Sequence, residues 1–123
     1  MKRILLSFII ILALPNLSLA WKDDWTKADT IREVAWQVIH VIDWGQTLEI
    51  ARQPDKFYEL NPIMGKHPSV GKVNAYMAIS AITHAGISYV LPKKYRVYYQ
   101  WITFSVSSAC IINNFNVGLR VKF

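Results

Sequence analysis

Four side chains carry the chemistry that this sequence could perform: His40, Asp43, His84 and Ser107. His40 and Asp43 stand three residues apart, a spacing that puts both on one face of a helix. Asp43 is the only formal charge between Val34 and Leu48. A lone carboxylate taken out of water is costly, so it must neutralise, pair or bind a cation. A His–Asp–His set could bind a transition metal, relay protons, or act as acid and base. Ser107 beside such a pair also permits a nucleophile. The spaced motifs that would commit the chain to one of these are missing: it has no HExxH, CxxC, GxSxG or glycine-rich phosphate loop. The plainer reading of the same residues is a satisfied hydrogen-bond network that fixes helix register. No catalytic residue is assigned and no cofactor is expected. A metal site, if the chain has one, would use His40, Asp43 and His84.

Three helix-length segments must position these groups, at about 26–52, 70–91 and 94–117. Asp24 or Thr26 can cap the first, and Asp29 and Glu33 suit its positive end. Ser69 is a good N-cap for the second and Pro92 a good stop, while Gly118 can end the third. At 100° per residue, Asp29, Glu33, His40, Asp43 and Thr47 fall within one sector of the first helix, opposite Val34, Val38, Val41 and Leu48. Met77, Ser80, Ala81, His84 and Ser88 form a stripe on the second. Arg96, Tyr99, Thr103, Ser107, Cys110 and Asn114 form one on the third. Three such stripes predict a bundle with a polar seam of His40, Asp43, Gln46, Thr47, His84, Ser107 and Asn114. At about 1.5 Å of rise per residue, His40, Asp43, His84 and Ser107 share one level. Cys110, the only cysteine, sits among apolar and small residues and reads as a buried packing residue.

Composition turns this bundle towards the membrane. Of 123 residues, 53% are hydrophobic and 18% charged, and Val73–Leu91 and Val97–Leu119 hold no formal charge. Both are long enough for a span, and Tyr95, Tyr98, Tyr99 and Trp101 crowd the start of the third segment as an interfacial belt would. Val34–Leu48 is the weaker candidate, stable in a bilayer only against partner helices. At the N-terminus, Lys2 and Arg3 precede an apolar run from Ile4 to Leu14, then Pro15-Asn16 and Ser18-Leu19-Ala20. That order is a secretory signal peptide over 1–20, followed by a single domain over 21–123. The fold class expected is therefore all-α, a three-helix polytopic membrane bundle after a signal peptide. It would lie in a bacterial inner membrane with the mature N-terminus periplasmic and the C-terminus cytoplasmic. The net charge of +6 divides unevenly, with no Asp or Glu beyond Glu59. The later basic residues stand at segment ends and loops, as snorkelling side chains do. A nucleic-acid partner, which would need them on one face, is not expected.

The connection over 53–69 holds Pro54, Pro62, Pro68 and Gly65 and cannot be a long helix. Glu59, Asn61 and Pro62 form a candidate loop site, with Asn61 placed to bond its own backbone before the proline and Glu59 able to pair with Lys66, Lys72 or Arg120. Taken together, His40-Val-Ile-Asp43-Trp-Gly-Gln46-Thr47 and Glu59-Leu-Asn61-Pro62-Ile-Met-Gly65 resemble a pattern in small bacterial and phage-borne membrane proteins. Those families, mostly known only as domains of unknown function, show an Asp-x-x-Gln-Thr helix, a Glu-x-Asn-Pro turn and further spans. The resemblance implies a helical membrane fold, marks Asp43, Gln46, Thr47, Glu59, Asn61 and Pro62, and supplies no activity.

Three functions follow as expectations. The first is a non-catalytic inner-membrane protein whose partners are the lipid bilayer and another membrane or envelope protein, such as a phage or prophage accessory for superinfection exclusion. The second is a proton- or metal-handling bundle built on His40, Asp43 and His84. The third is an intramembrane enzyme using the same seam or Glu59.

Overall fold

A computed structural model describes residues 24–123. The signal peptide expected over 1–20 lies outside the described residues. Three helices follow in order: α1 over Lys27–Arg52, α2 over Val70–Val90 and α3 over Lys93–Asn116. Their ends fall where the caps put them. The Asp29 backbone N–H donates to Thr26 Oγ1 at 3.2 Å, and the Thr26 N–H returns to Asp29 Oδ2 at 2.8 Å, closing a capping box on α1. At the start of α2 the Lys72 N–H donates to Ser69 Oγ at 3.1 Å. Pro92 is the N-cap of α3. Gly118, at φ +95°, takes the left-handed turn after α3, and the Leu119 N–H returns to the Asn114 carbonyl at 2.9 Å.

The architecture is all-α, with no strand among the described residues. α1 is the spine. It packs along α2 and along α3, while α2 and α3 touch each other far less. The two outer helices therefore splay apart and leave a cleft with α1 as its floor.

Burial runs opposite to the usual order. Asp29, Glu33, His40, Gln46, His84, Ser88, Arg96 and Gln100 are buried, whereas Ile31, Val34, Val38, Val41, Ile79, Ile82, Trp101, Ile102, Val106 and Ile112 are exposed. The conventional core is confined to the far end of α1. There Leu48, Met64, Val73 and Met77 cluster, with Trp44, Ala51 and Tyr76 against them. The helical stripe on α1 thus holds through His40 and then gives way. Leu48 was expected opposite the polar sector, yet it is buried, as is every residue from Gly45 to Ile50. The cause is non-local: α2 covers one side of this end and the C-terminal tail the other.

That tail, Leu119 to Phe123, lies as irregular chain against α1. The Lys122 N–H donates to the Gly45 carbonyl at 3.2 Å, and Lys122 Nζ pairs with Glu49 Oε1 at 2.8 Å. The Arg120 N–H donates to the other Glu49 oxygen, and Arg52 Nη1 donates to the Lys122 carbonyl at 3.1 Å. Gly45 admits this approach because a Cβ there would stand 2.5 Å from Val121 Cγ1 and 3.0 Å from Phe123 Cε2. Gly45→Ala is therefore expected to lift the tail. Trypsin should release the ends at Arg120 and Lys122 faster from the variant than from the parent at equal protease, and equal release would show that the tail is not held there.

No helix among the described residues is long and apolar enough to cross a membrane. This departs from the expectation of three hydropathic spans. The reason is composition by face: Asn74, Ser80, Thr83, His84 and Ser88 dilute α2, and Gln100, Thr103, Ser105, Ser107 and Ser108 dilute α3.

Candidate functional site

The polar seam forms as two networks at different heights. The larger lies near the start of α1. Asp29 is fully buried, and Arg96 on α3 is 1% exposed. Arg96 Nη1 donates to Asp29 Oδ2 at 3.0 Å, Nε to the Ser88 carbonyl at 2.8 Å and Nη2 to the Leu91 carbonyl at 3.0 Å. Its guanidinium lies 5.0 Å from the Trp25 ring centre. One side chain thus ties the first turn of α1 to the last turn of α2. Arg32 closes the group, pairing with Asp29 through Nη2 and donating from Nε to Gln100 Oε1 at 2.9 Å.

One turn along α1, Glu33 is the hub. Its Oε1 accepts from Gln37 Nε2 at 2.9 Å and from His84 Nδ1 at 3.0 Å. Its Oε2 accepts from Ser88 Oγ at 2.8 Å and from Gln100 Nε2 at 3.4 Å. His84 Nε2 lies 2.8 Å from Thr103 Oγ1. The His84 ring is also fixed on both faces, stacked on Trp36 at 3.6 Å between centres and on Tyr99 at 4.7 Å. Trp36 in turn stacks on His40 at 4.6 Å. His40, Trp36, His84 and Tyr99 therefore form one continuous ladder of rings.

The second network sits lower. Asn114 Nδ2 donates to Gln46 Oε1 at 3.0 Å and to Asp43 Oδ1 at 3.3 Å, and Gln46 Nε2 reaches the Ile111 carbonyl at 3.4 Å. His40 Nε2 donates to the Met77 carbonyl at 2.9 Å rather than to Asp43. In the loop, Asn61 Oδ1 accepts from the Ile63 N–H at 2.9 Å, the Asx turn expected before Pro62, and Asn61 Nδ2 donates to Tyr76 Oη at 2.9 Å. Glu59 Oε1 accepts from the Asn61 N–H at 2.8 Å. None of the expected partners Lys66, Lys72 and Arg120 pairs with its carboxylate: Lys66 Nζ lies over the Tyr58 ring at 5.1 Å, and the Arg120 guanidinium donates to the Leu119 carbonyl.

His40, Asp43, Thr47, His84, Ser107 and Asn114 all line the cleft between α2 and α3, whose volume is about 900 Å³. They share a space without forming the expected His–Asp–His set. His84 is held by Glu33 rather than Asp43, and its two ring nitrogens are committed. No group of three His, Cys, Asp or Glu side chains among the described residues is placed to hold a metal ion. The metal reading of His40, Asp43 and His84 is thereby corrected. Cys110 also departs from expectation, since it is exposed and lines the cleft. It belongs to the face of α3 that α2 leaves uncovered.

The Glu33 hub and Gln100 lie outside the seam that the sequence predicts. The signal was present in spacing: Arg96, Gln100 and Thr103 recur at four and three residues on α3, facing Asp29 and Glu33 at four residues on α1.

Two carboxylates at the ends of α1 are shifted. Burial alone would raise the Asp29 carboxyl, but hydrogen bonds from Thr26 and Arg96 outweigh it and hold the group below its ordinary 3.8. Burial would likewise raise Glu49, but Lys122, the Arg120 N–H and Gln53 hold it below 4.5. A depressed carboxylate stabilises the fold above its ordinary value and loses that stabilisation as pH falls through the folded value. Stability is thus expected to be insensitive to these two groups above about pH 5 and to decline below about pH 4. Denaturation midpoints measured across that range check the sign, and a rise on acidification would overturn it.

Comparison with models of known families, with curated proteins and with solved structures finds no match to this chain.

Proposed function

We propose that the protein is a small non-catalytic bundle of the bacterial inner membrane that acts by contact with another membrane or envelope protein. The observation that carries this reading is the inverted burial. Charged and amide side chains fill the interior, while branched aliphatic and aromatic side chains line the outer faces of all three helices. In water such an exterior leaves a large apolar surface uncovered, which marks a surface for lipid or protein. In a bilayer, polar residues turn to the bundle interior and pair there, as Glu33, His84, Arg96 and Gln100 do. A whole-helix hydropathy averages both faces, so it understates the apolar character of the outward one.

Commitment of both seam histidines supports a contact role over proton, metal or bond-breaking chemistry: His40 is tied to the Met77 carbonyl and His84 to Glu33 and Thr103, so their rings hold helices together. The orientation proposed has the mature N-terminus periplasmic and the C-terminus cytoplasmic. The resemblance of the Asp43–Thr47 and Glu59–Pro62 segments to phage-borne membrane proteins supports a phage or prophage accessory, of which superinfection exclusion is one form. Alkaline carbonate extraction tests the location. The protein should stay with the membrane pellet and leave it with detergent, and release by carbonate would overturn the reading. Cells expressing the protein should resist DNA entry from related phages while adsorbing them normally. Unchanged infection across a panel would remove the phage role.

A further inference from the structure

Along one side of α1, Ala28, Ile31 and Ala35 follow at three and four residues, so two small side chains flank an isoleucine. On α3, Trp101 and Phe104 stand three apart, their rings packed edge to face at 6.1 Å between centres. Where these stretches meet, the missing bulk at Ala28 and Ala35 leaves a groove of about 360 Å³ that takes no wall from α2. Arg32 and Gln100 also line it, but their polar ends go to each other, Asp29 and Glu33, so the wall is apolar. The groove opens outwards, with Ile31 and Trp101 more than half exposed. Charge stands at its upper end. Lys27 lies one turn before Ile31 and Lys94 two turns before Trp101, each on the same face of its helix as the residue it precedes. Both are exposed, and neither pairs with a carboxylate among the described residues. α3 holds no acid and is uncharged past Arg96. Asp29 and Glu33 are buried, which leaves Asp24 as the exposed acid at this end among the described residues. From Lys27 to Ala35 the helix descends about 12 Å.

We propose that this groove seats an acyl chain of an anionic phospholipid, with the phosphate headgroup held at Lys27 and Lys94. The site rests on the reading of the outer faces as lipid-facing, and it adds the class of lipid that this face selects. An acyl chain entering the groove gains contact with apolar walls that a flat helix face does not offer. The two ammonium groups attract a net negative headgroup, and a lysine near a membrane surface favours such a lipid roughly fivefold over a neutral one. A phospholipid carries charge and chain in the order the groove presents them, charge above and apolar wall below. A partner helix would have to bring its own acids to the two lysines.

Native mass spectrometry of the purified full chain in mild detergent tests it. The probes are phosphatidylglycerol and zwitterionic phosphatidylcholine with the same acyl chains, titrated separately. The parent should retain one phosphatidylglycerol at least roughly tenfold more tightly than phosphatidylcholine. Lys27→Gln and Lys94→Gln should each lower that preference roughly fivefold while leaving phosphatidylcholine binding unchanged. Ala28→Phe fills the groove and should weaken both lipids, with the helical circular dichroism unchanged. Lys27 and Lys94 are exposed and make no ion pair, so their variants keep the test sound if Ala28→Phe fails to fold. Equal retention of the two lipids by the parent would overturn the proposal, as would an unchanged preference in both lysine variants or full lipid binding in a folded Ala28→Phe. A dimer in place of the lipid, lost in Ala28→Phe, would give the groove to a second copy of the chain and overturn it too. Carbonate extraction reports separately on location. A chain released by carbonate that still selects phosphatidylglycerol fails the membrane reading alone, and an integral chain without selectivity fails the groove alone.

Discussion

Arg96→Ala is expected to destabilise the protein by about 3–5 kcal/mol, the cost of leaving a buried charge without its partner. The buried guanidinium serves three helices at once. It neutralises Asp29 on α1, satisfies the Ser88 and Leu91 carbonyls at the end of α2, and belongs to α3. α2 has no basic residue in its last turn, so these carbonyls rely on a donor from the next helix. Truncation strands both carbonyls and takes from Asp29 one of its two cationic partners. Asp29 would keep Arg32 and the Thr26 cap, which sets the loss below that of a wholly isolated charge. Equilibrium denaturation of the purified protein measures the effect.

The double variant separates charge from packing. In Asp29→Asn with Arg96→Met the buried charge disappears from both sides, and volume is nearly kept on each. It should recover a substantial part of the loss seen in Arg96→Ala, since buried pairs replaced as pairs by apolar groups are often close to neutral. Recovery will stay incomplete because methionine offers nothing to the two α2 carbonyls. A loss under 1 kcal/mol in Arg96→Ala would show instead that helix packing holds this end without the pair.

How much of this was legible in the sequence follows from the range of each interaction. Thr26, Ser69, Pro92 and Gly118 mark helix ends through bonds within a few residues, so the three segments could be read to within about a turn. The inward set of Asp29, Glu33 and His40 follows from helical period alone. Partners across helices do not. A one-turn slide of α2 along α1 moves contacts by about 5.4 Å. Glu33 and Asp43 stand ten residues, or about 15 Å, apart along α1, so a register offset of nearly three turns gives His84 to Glu33 and Trp36 rather than to Asp43. The exposure of Cys110 depends on α2 and α3 splaying apart, and the burial of Leu48 on α2 and a tail that returns from seventy residues away in sequence. Neither leaves a trace in the local spacing.

Glu33→Ala should rival Arg96→Ala and differ from it in what it disturbs. The carboxylate is the common acceptor for Gln37, His84, Ser88 and Gln100. Removing it orphans up to four donors, each costing about 1–3 kcal/mol if nothing else pairs with it. Relaxation offsets part of this. Gln37 Nε2 already reaches the Ala81 carbonyl at 3.0 Å, and Gln100 Nε2 the Asp29 carbonyl at 3.2 Å. His84 Nδ1 and the Ser88 hydroxyl have no such second acceptor, so the net loss is expected at about 3–4 kcal/mol, most of it from those two. Glu33→Gln should cost less than Glu33→Ala, because its amide oxygen can still accept from His84 or Ser88 but not from both sides of the carboxylate. The ring ladder supplies an independent readout. His84 lies 3.6 Å from Trp36 and is anchored by Glu33, so loosening the anchor should change Trp36 emission under conditions where the helices remain folded. If Glu33→Ala kept both the parent's stability and its tryptophan emission, the hub would be a bystander, and the bundle would be held by the ring stack and Arg96 alone.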